Sequence, residues 1–353
     1  MRQLTCTAPG VVQWLDVPEP SIVDPTDALV RPVAVARCEI DPFLVLAGPT
    51  GGDGFALGHE AVVEVTAVGP QVEGLGIGDL ALPSFQISCG VCPTCRRGHT
   101  ANCERYPVLS DYGMQPLSGV EYGGMLADVV RVPHADAMLT PLPAGLDPVA
   151  VASVPDNVVD GYRAVAPHLR QRPGADVLVA CHGTPSIGLY AAQSALALGA
   201  GTVTVAAADD EILGLVERIG ATPLRTEFGG RAGKWPVVVD CGQRVEGLHW
   251  AIRATEPEGT LHSVSYYAAE PMVPMPLGRL YTLGIDFRIG RAHSAALLAE
   301  VVDLVADGRL RPEQVTTSVI GWEEAPDRYT DDTVKLVVSR TSDLPLPDPG
   351  ETP

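Results

Sequence analysis

From Ala175 onward the chain alternates two rhythms, and that alternation narrows the possible folds more than any other feature. "ADVLVACHG" is a short buried-type strand, and "SIGLYAAQSALALGA" after it has the Ala/Leu richness of a packed helix. "TVTVAAA" and "DDEILGLVERIGA" repeat the pair, and "WPVVVDCG", "VEGLHWAIRAT" and "GTLHSVSY" continue it. Strands joined by crossover helices lie parallel, so this segment predicts a doubly wound sheet. The first half reads differently. "ALVRPVAVARC", "AVVEVTAVGP", "DLALPSF" and "ADVVRVP" are β-type runs separated by glycine and proline, which predict a barrel-like all-β domain. After about Arg291 come one helix, "SAALLAEVVDLVADG", and a last strand, "TVKLVVS". The terminal "SDLPLPDPGETP" reads as a loose tail.

A chain of 353 residues is long enough for two cores, and 46% hydrophobic with 19% charged residues is a globular composition. A net charge of −19 counts against nucleic acid or an anionic membrane as partner, since both reward Lys and Arg. Lys234 and Lys335 are the only lysines. No apolar run is long enough to span a bilayer, and "MRQLTCTAPG" is broken by charge and proline where a secretory leader is apolar. The expected location is the cytoplasm, where thiols stay reduced.

That expectation bears on "CGVCPTCRRGHTANC", which places four of the eight cysteines between Cys89 and Cys103. Disulfides fit a reducing compartment poorly. The spacing C-x2-C-x2-C-x7-C begins like a ferredoxin run, but its fourth cysteine comes late and is followed by Glu104 rather than proline. A single zinc held by Cys89, Cys92, Cys95 and Cys103 is the better fit, with an iron–sulfur cluster as the alternative. Four thiolates close a tetrahedron, so such a site is structural.

In "VLVACHGTPSIGLYAA" a strand, a glycine turn and a helix suggest a dinucleotide site, because a glycine turn lets a pyrophosphate approach the helix N-terminus. The candidate binding residues are Gly183, Thr184, Pro185, Ser186, Ile187 and Gly188. Cys181 stands where the first glycine of G-x-G-x-x-G is expected, and the turn is longer than usual. His182 inside it either touches a pyrophosphate or is a partly exposed loop side chain. On the second strand Ala207 occupies the place of the ribose-binding acid. Asp209 and Asp210 come slightly late, so they either bind the ribose or charge the next helix. NAD is favoured over NADP.

Read together, "FALGHEAVVEVTAVG", "ARCEID", "GVCPTCRRGHTANC" and "GGMLADVVRVP" fall in the order of the zinc-dependent medium-chain alcohol dehydrogenases, which this chain resembles over nearly its whole length. The resemblance implies a GroES-like β-barrel catalytic domain interrupted by a Rossmann domain. The expected spans are 1–157 catalytic, 158–291 nicotinamide-binding and 292–353 returning to the catalytic domain. It also implies a second, catalytic zinc. Cys38 in "ARCEID" and His59 in "LGHE" match two of its ligands, and Glu60 matches an acidic neighbour of the metal. No cysteine lies between Cys103 and Cys181, and "ASVPDNVVDGYRA" is similar to the segment where bacterial secondary-alcohol dehydrogenases use an aspartate. Asp156 therefore takes the third position. Singly, Cys38 reads as a core thiol, His59 as a satisfied histidine and Asp156 as a helix cap just as well. Ile40 departs from the family, whose members carry Ser or Thr there to relay the alcohol proton; loss to water or a route through Glu60 or Asp41 is expected instead.

The implied function is hydride transfer between NAD(P) and an alcohol/carbonyl pair, a secondary alcohol being expected, in a homodimer or homotetramer with two zincs per chain. Two other readings stay open: a non-catalytic cofactor-binding relative, and a reductase of an imine or activated C=C bond.

Overall fold

The strand Ala28–Ala36 alternates buried and outward residues until its last turns, and everything in the first unit is arranged around it. It pairs antiparallel with Glu60–Val68 and with Leu336–Ser339. The ladder to Glu60–Val68 shifts register beside Pro32, where the chain has no N–H to give. The computed structural model describes residues 1–52, 54–267 and 272–340. The tail read at residues 342–353 lies outside them.

Two units are distinguished, one of residues 1–159, 293–306 and 316–353, the other of residues 160–292 and 307–315. The returning segment is thus split, with residues 307–315 packing in the second unit. In the first, a seven-stranded and a three-stranded sheet share one core that includes Leu4, Val30, Val63, Met125, Tyr329 and Leu336. Register explains what this sheet delivers. Ala36 lies opposite both Glu60 and Val337. Cys38 and His59 therefore emerge at one end of the sheet, and Lys335, two residues before Val337, comes to the same end.

The second unit is a six-stranded, wholly parallel sheet. Its strands are β1 (Val177–His182), β2 (Val203–Ala207), β3 (Thr222–Arg225), β4 (Trp235–Gly242), β5 (Thr255–Ser263) and β6 (Asp286–Ile289), in the spatial order 3-2-1-4-5-6. The order reverses between β1 and β4, and ligands of such sheets bind outside the carboxyl ends of the strands at that reversal. Helices α1 (Pro185–Ala197), α2 (Asp210–Arg218) and α3 (Val245–Ala254) make crossovers. Among the described residues no helix is long and apolar enough to cross a membrane.

A buried histidine pair sits in this unit. Arg163 Nη1 is 2.8 Å from His262 Nε2, and His262 Nδ1 is 3.0 Å from His168 Nε2. Arginine only donates, so His262 accepts at Nε2, carries its proton on Nδ1 and donates to His168. Burial, with Arg163 beside it, lowers the His262 pKa to about 2, and burial lowers that of His168 to about 4. Both are harder to protonate folded than unfolded. Below the ordinary value of 6.5 the unfolded chain takes up protons that the folded chain refuses, so stability falls as pH drops through 6.5 toward 4. His262→Gln should lower the melting temperature at pH 7.5, and the gap to the parent should narrow by pH 5. A gap that widens toward acid would refute the pair's contribution.

Candidate active site

Cys38 opens the turn between the strand Ala28–Ala36 and the helix Ile40–Ala47. Asp41, in the first turn of that helix, is wholly buried and folds back on it: its Oδ2 accepts the Cys38 N–H at 3.1 Å and the Tyr329 hydroxyl at 2.8 Å. His59 is set by Gly58, whose φ of +88° suits glycine and whose Cβ would press on Leu126 at 3.0 Å. Asp156 and Asn157 come from a single π-helical turn, Val154–Val158, a form found mostly where function needs it.

These elements bring the expected residues together. One donor atom each from Cys38, His59, Glu60 and Asp156 lies within 4.8 Å of the other three, and all four residues are buried. His59 Nε2 is 3.2 Å from Asp156 Oδ2, while its Nδ1 faces Asp41 Oδ1 at 3.4 Å. Asn157 Nδ2 donates to Cys38 Sγ at 3.1 Å and to Asp156 Oδ2 at 3.0 Å. Lys335 Nζ reaches Glu60 through both carboxylate oxygens, at 2.9 and 2.8 Å.

The electrostatics describe a site short of positive charge. Burial, aided by Asp156, holds the Cys38 thiol far above its ordinary pKa. Burial opposes a charged His59, yet Asp41 and Asp156 outweigh it and raise the imidazole well above its usual value. Burial also raises the Glu60 carboxyl, with Lys335 pulling the other way. A thiol, an imidazole and a carboxylate converging out of water fit zinc, which would take the thiol as thiolate and replace the proton on the imidazole.

The four cysteines of the lobe also converge, with their sulfurs within 4.8 Å of one another. None of the eight cysteines is in a disulfide, and Cys92 Sγ stands 4.0 Å from Cys103 Sγ. Backbone N–H groups point at the sulfurs: Cys92 to Cys89 at 3.3 Å, Cys95 to Cys92 at 3.4 Å, Cys89 to Cys103 at 3.4 Å. The N–H groups of Glu104 and Cys95 lower the Cys92 pKa to about 6, whereas burial takes Cys95 up to about 12. Zinc takes cysteine as thiolate, so a metal here would offset the burial that holds Cys95 protonated.

In the second unit, Gly183 and Gly188 each have a packing reason. A Cβ on Gly183 would lie 2.8 Å from the Gln243 nitrogen, and one on Gly188 would touch Cys181 at 3.3 Å where α1 lies on β1. Thr184 immediately precedes α1, Pro185 is its first residue, and Ser186 and Ile187 are buried in its first turn.

One expectation is corrected. His182 is not a partly exposed loop side chain. The imidazole is wholly buried, with Nε2 2.8 Å from Asp240 Oδ1 and its ring filling the space left by Gly242 and Gly247. Glu60, meanwhile, is held by Lys335, and Asp41 by Tyr329 and the Cys38 N–H. Asp209 does cap α2, its Oδ1 accepting the N–H groups of Glu211 and Ile212 at 2.8 and 3.2 Å. Sequence reasoning passed over Asn157, Lys335 and Tyr329. Only Lys335 carried a signal, as one of two lysines among 24 Lys and Arg residues.

Residues 24–144 match the family model described as the alcohol dehydrogenase GroES-like domain. The chain is 30% identical to a glutathione-independent formaldehyde dehydrogenase of Pseudomonas aeruginosa, over 77% of this chain and 70% of that one. It is 26% identical to an NADP-dependent isopropanol dehydrogenase of Thermoanaerobacter brockii, over 90% and 92%. Among solved structures, the alcohol dehydrogenase TADH from Thermus sp. ATN1 superposes with a TM-score of 0.87 at 30% identity, covering 96% of this chain and 99% of that one.

Proposed function

The chain belongs to the zinc-dependent medium-chain alcohol dehydrogenases, NAD(P)-dependent oxidoreductases of alcohols and carbonyls, and from that premise we propose how its own residues divide the work. The observation that carries the reading is the buried convergence of Cys38, His59 and Asp156 donor atoms. These three hold a catalytic zinc, and Cys89, Cys92, Cys95 and Cys103 hold a structural one. When bound, the first zinc supplies Lewis-acid polarisation of a substrate oxygen and the nicotinamide supplies or takes the hydride.

What remains is the work of side chains. Asp41 orients His59 through Nδ1, leaving Nε2 as the donor atom. Asn157 steadies both Cys38 Sγ and Asp156 Oδ2. Ile40 has no hydroxyl to pass a proton. Glu39 precedes it, half-buried, with Oε2 4.0 Å from Cys38 Sγ. We assign to Glu39 Oε2 the uptake of the alcohol proton in oxidation and its return in reduction. Gly183, Thr184, Pro185, Ser186, Ile187 and Gly188 form the pyrophosphate turn. At the end of β2, Asp209 and Asp210 would repel a 2′-phosphate, and the Arg225 guanidinium beside them is drawn onto Asp210 and the Ala208 carbonyl. That charge pattern supports NAD. The aspartate ligand, and likeness to the isopropanol dehydrogenase, support a secondary alcohol as substrate. We place the enzyme in the cytoplasm as a homodimer or homotetramer.

Elemental analysis of purified protein should find two zincs per chain, and one in Asp156→Ala. One in both would mean that the cysteine lobe is the sole metal site. With a secondary alcohol, kcat/KM should be higher for NAD than for NADP, and the reverse ranking would remove the cofactor assignment. Glu39→Gln should lower kcat by roughly 10²-fold or more, the usual scale for a lost acid–base group, with zinc content unchanged. An unchanged kcat would return the proton to water.

A further inference from the structure

One amine touches the sequence neighbour of every residue assigned to the catalytic zinc. Lys335 Nζ is fully buried and lies 3.0 Å from the Arg37 carbonyl, 2.8 Å from a Glu60 carboxylate oxygen and 2.6 Å from Asn157 Oδ1. Residues 37, 60 and 157 adjoin Cys38, His59 and Asp156 respectively. Three protons on one nitrogen meet three acceptor groups arriving from three separate stretches of chain.

We propose that Lys335 is the positioning residue that gathers the three ligand-bearing segments before the metal arrives, so that zinc meets a formed site. The inference rests on the reading of Cys38, His59 and Asp156 as ligands. Its support is geometric. The Arg37 carbonyl fixes where Cys38 leaves its strand, and Glu60 begins the strand that follows His59. Asn157 holds the π-helical turn that carries Asp156, and passes the constraint on through its own hydrogen bonds to Cys38 Sγ and Asp156 Oδ2. A compact ammonium suits three convergent acceptors. Arginine, which makes up the rest of the Lys and Arg total apart from Lys234, holds its donors in a fixed planar fork instead.

A bland rival exists, in which Lys335 only neutralises a buried Glu60, and the experiment separates the two. Zinc release to a chromogenic chelator is followed for the full-length parent, Lys335→Met, and the double variant Lys335→Met/Glu60→Gln. The double variant leaves no uncompensated carboxylate, so it keeps the test open if the single one folds poorly. The cysteine-lobe zinc serves as the internal control for folding.

The expected result is about one zinc per chain released 10-fold or more faster from both variants, the scale on which outer-shell partners act, with the lobe zinc retained. Cobalt substituted at the site should also show a shifted thiolate charge-transfer band in both. Parent-like release from both variants would overturn the proposal, as would a double variant restored to parent behaviour, because Lys335 would then be a counter-ion and nothing more. A parent holding only one zinc would overturn the ligand assignment itself, and this inference with it.

Discussion

Burying several anion-forming groups side by side is the constraint on which the rest depends. Cys38, Glu60, Asp156 and Asp41 all lie out of water around His59. Isolated charges in such a place cost several kcal/mol each, so the cluster exists only where positive charge or donors answer it. Lys335 answers Glu60, Asn157 answers the sulfur and Asp156, and Tyr329 answers Asp41. Asn157 answers Cys38 and Asp156 with a neutral amide alone, so a dication is the chemical species that suits the convergence of Cys38, His59 and Asp156.

The sheet explains why this arrangement can be held at all. Strands Ala28–Ala36, Glu60–Val68 and Leu336–Ser339 are pinned to one another by backbone hydrogen bonds, so the residues at their common end cannot drift independently. Sites built at the ends of regular elements are held more precisely than sites on free loops. The π-helical turn adds Asp156 from a different direction, and a side-chain network rather than a ladder ties that turn in.

The parts of this protein that were legible in advance are those whose geometry is local. C-x2-C-x2-C can be read as a metal lobe because a tight turn sets sulfur positions within a few residues. The alternation after Ala175 can be read as a doubly wound sheet because burial is periodic along each strand. β3, "TPLR", escaped notice because it is four residues long, holds a proline and buries none of its side chains fully. Asn157 and Lys335 escaped for a different reason. Each acquires meaning only when residues more than a hundred positions apart along the chain are adjacent in space.

His182 shows the same limit from the opposite side. A histidine in a glycine turn looks exposed when only its neighbours in sequence are considered. Its ring has room because positions 242 and 247 are both glycine, where a Cβ would lie 2.0 and 2.4 Å from the ring. Bulk absent from β4 and the start of α3 is supplied by β1, and Asp240 holds that bulk in place while also accepting the hydroxyls of Ser263 and Tyr267 at 2.6 and 2.8 Å. The irregular turn and the two glycines beyond it are therefore one feature. A departure from a motif at one position is interpretable only with the compensating residues in view, and those lie on another strand.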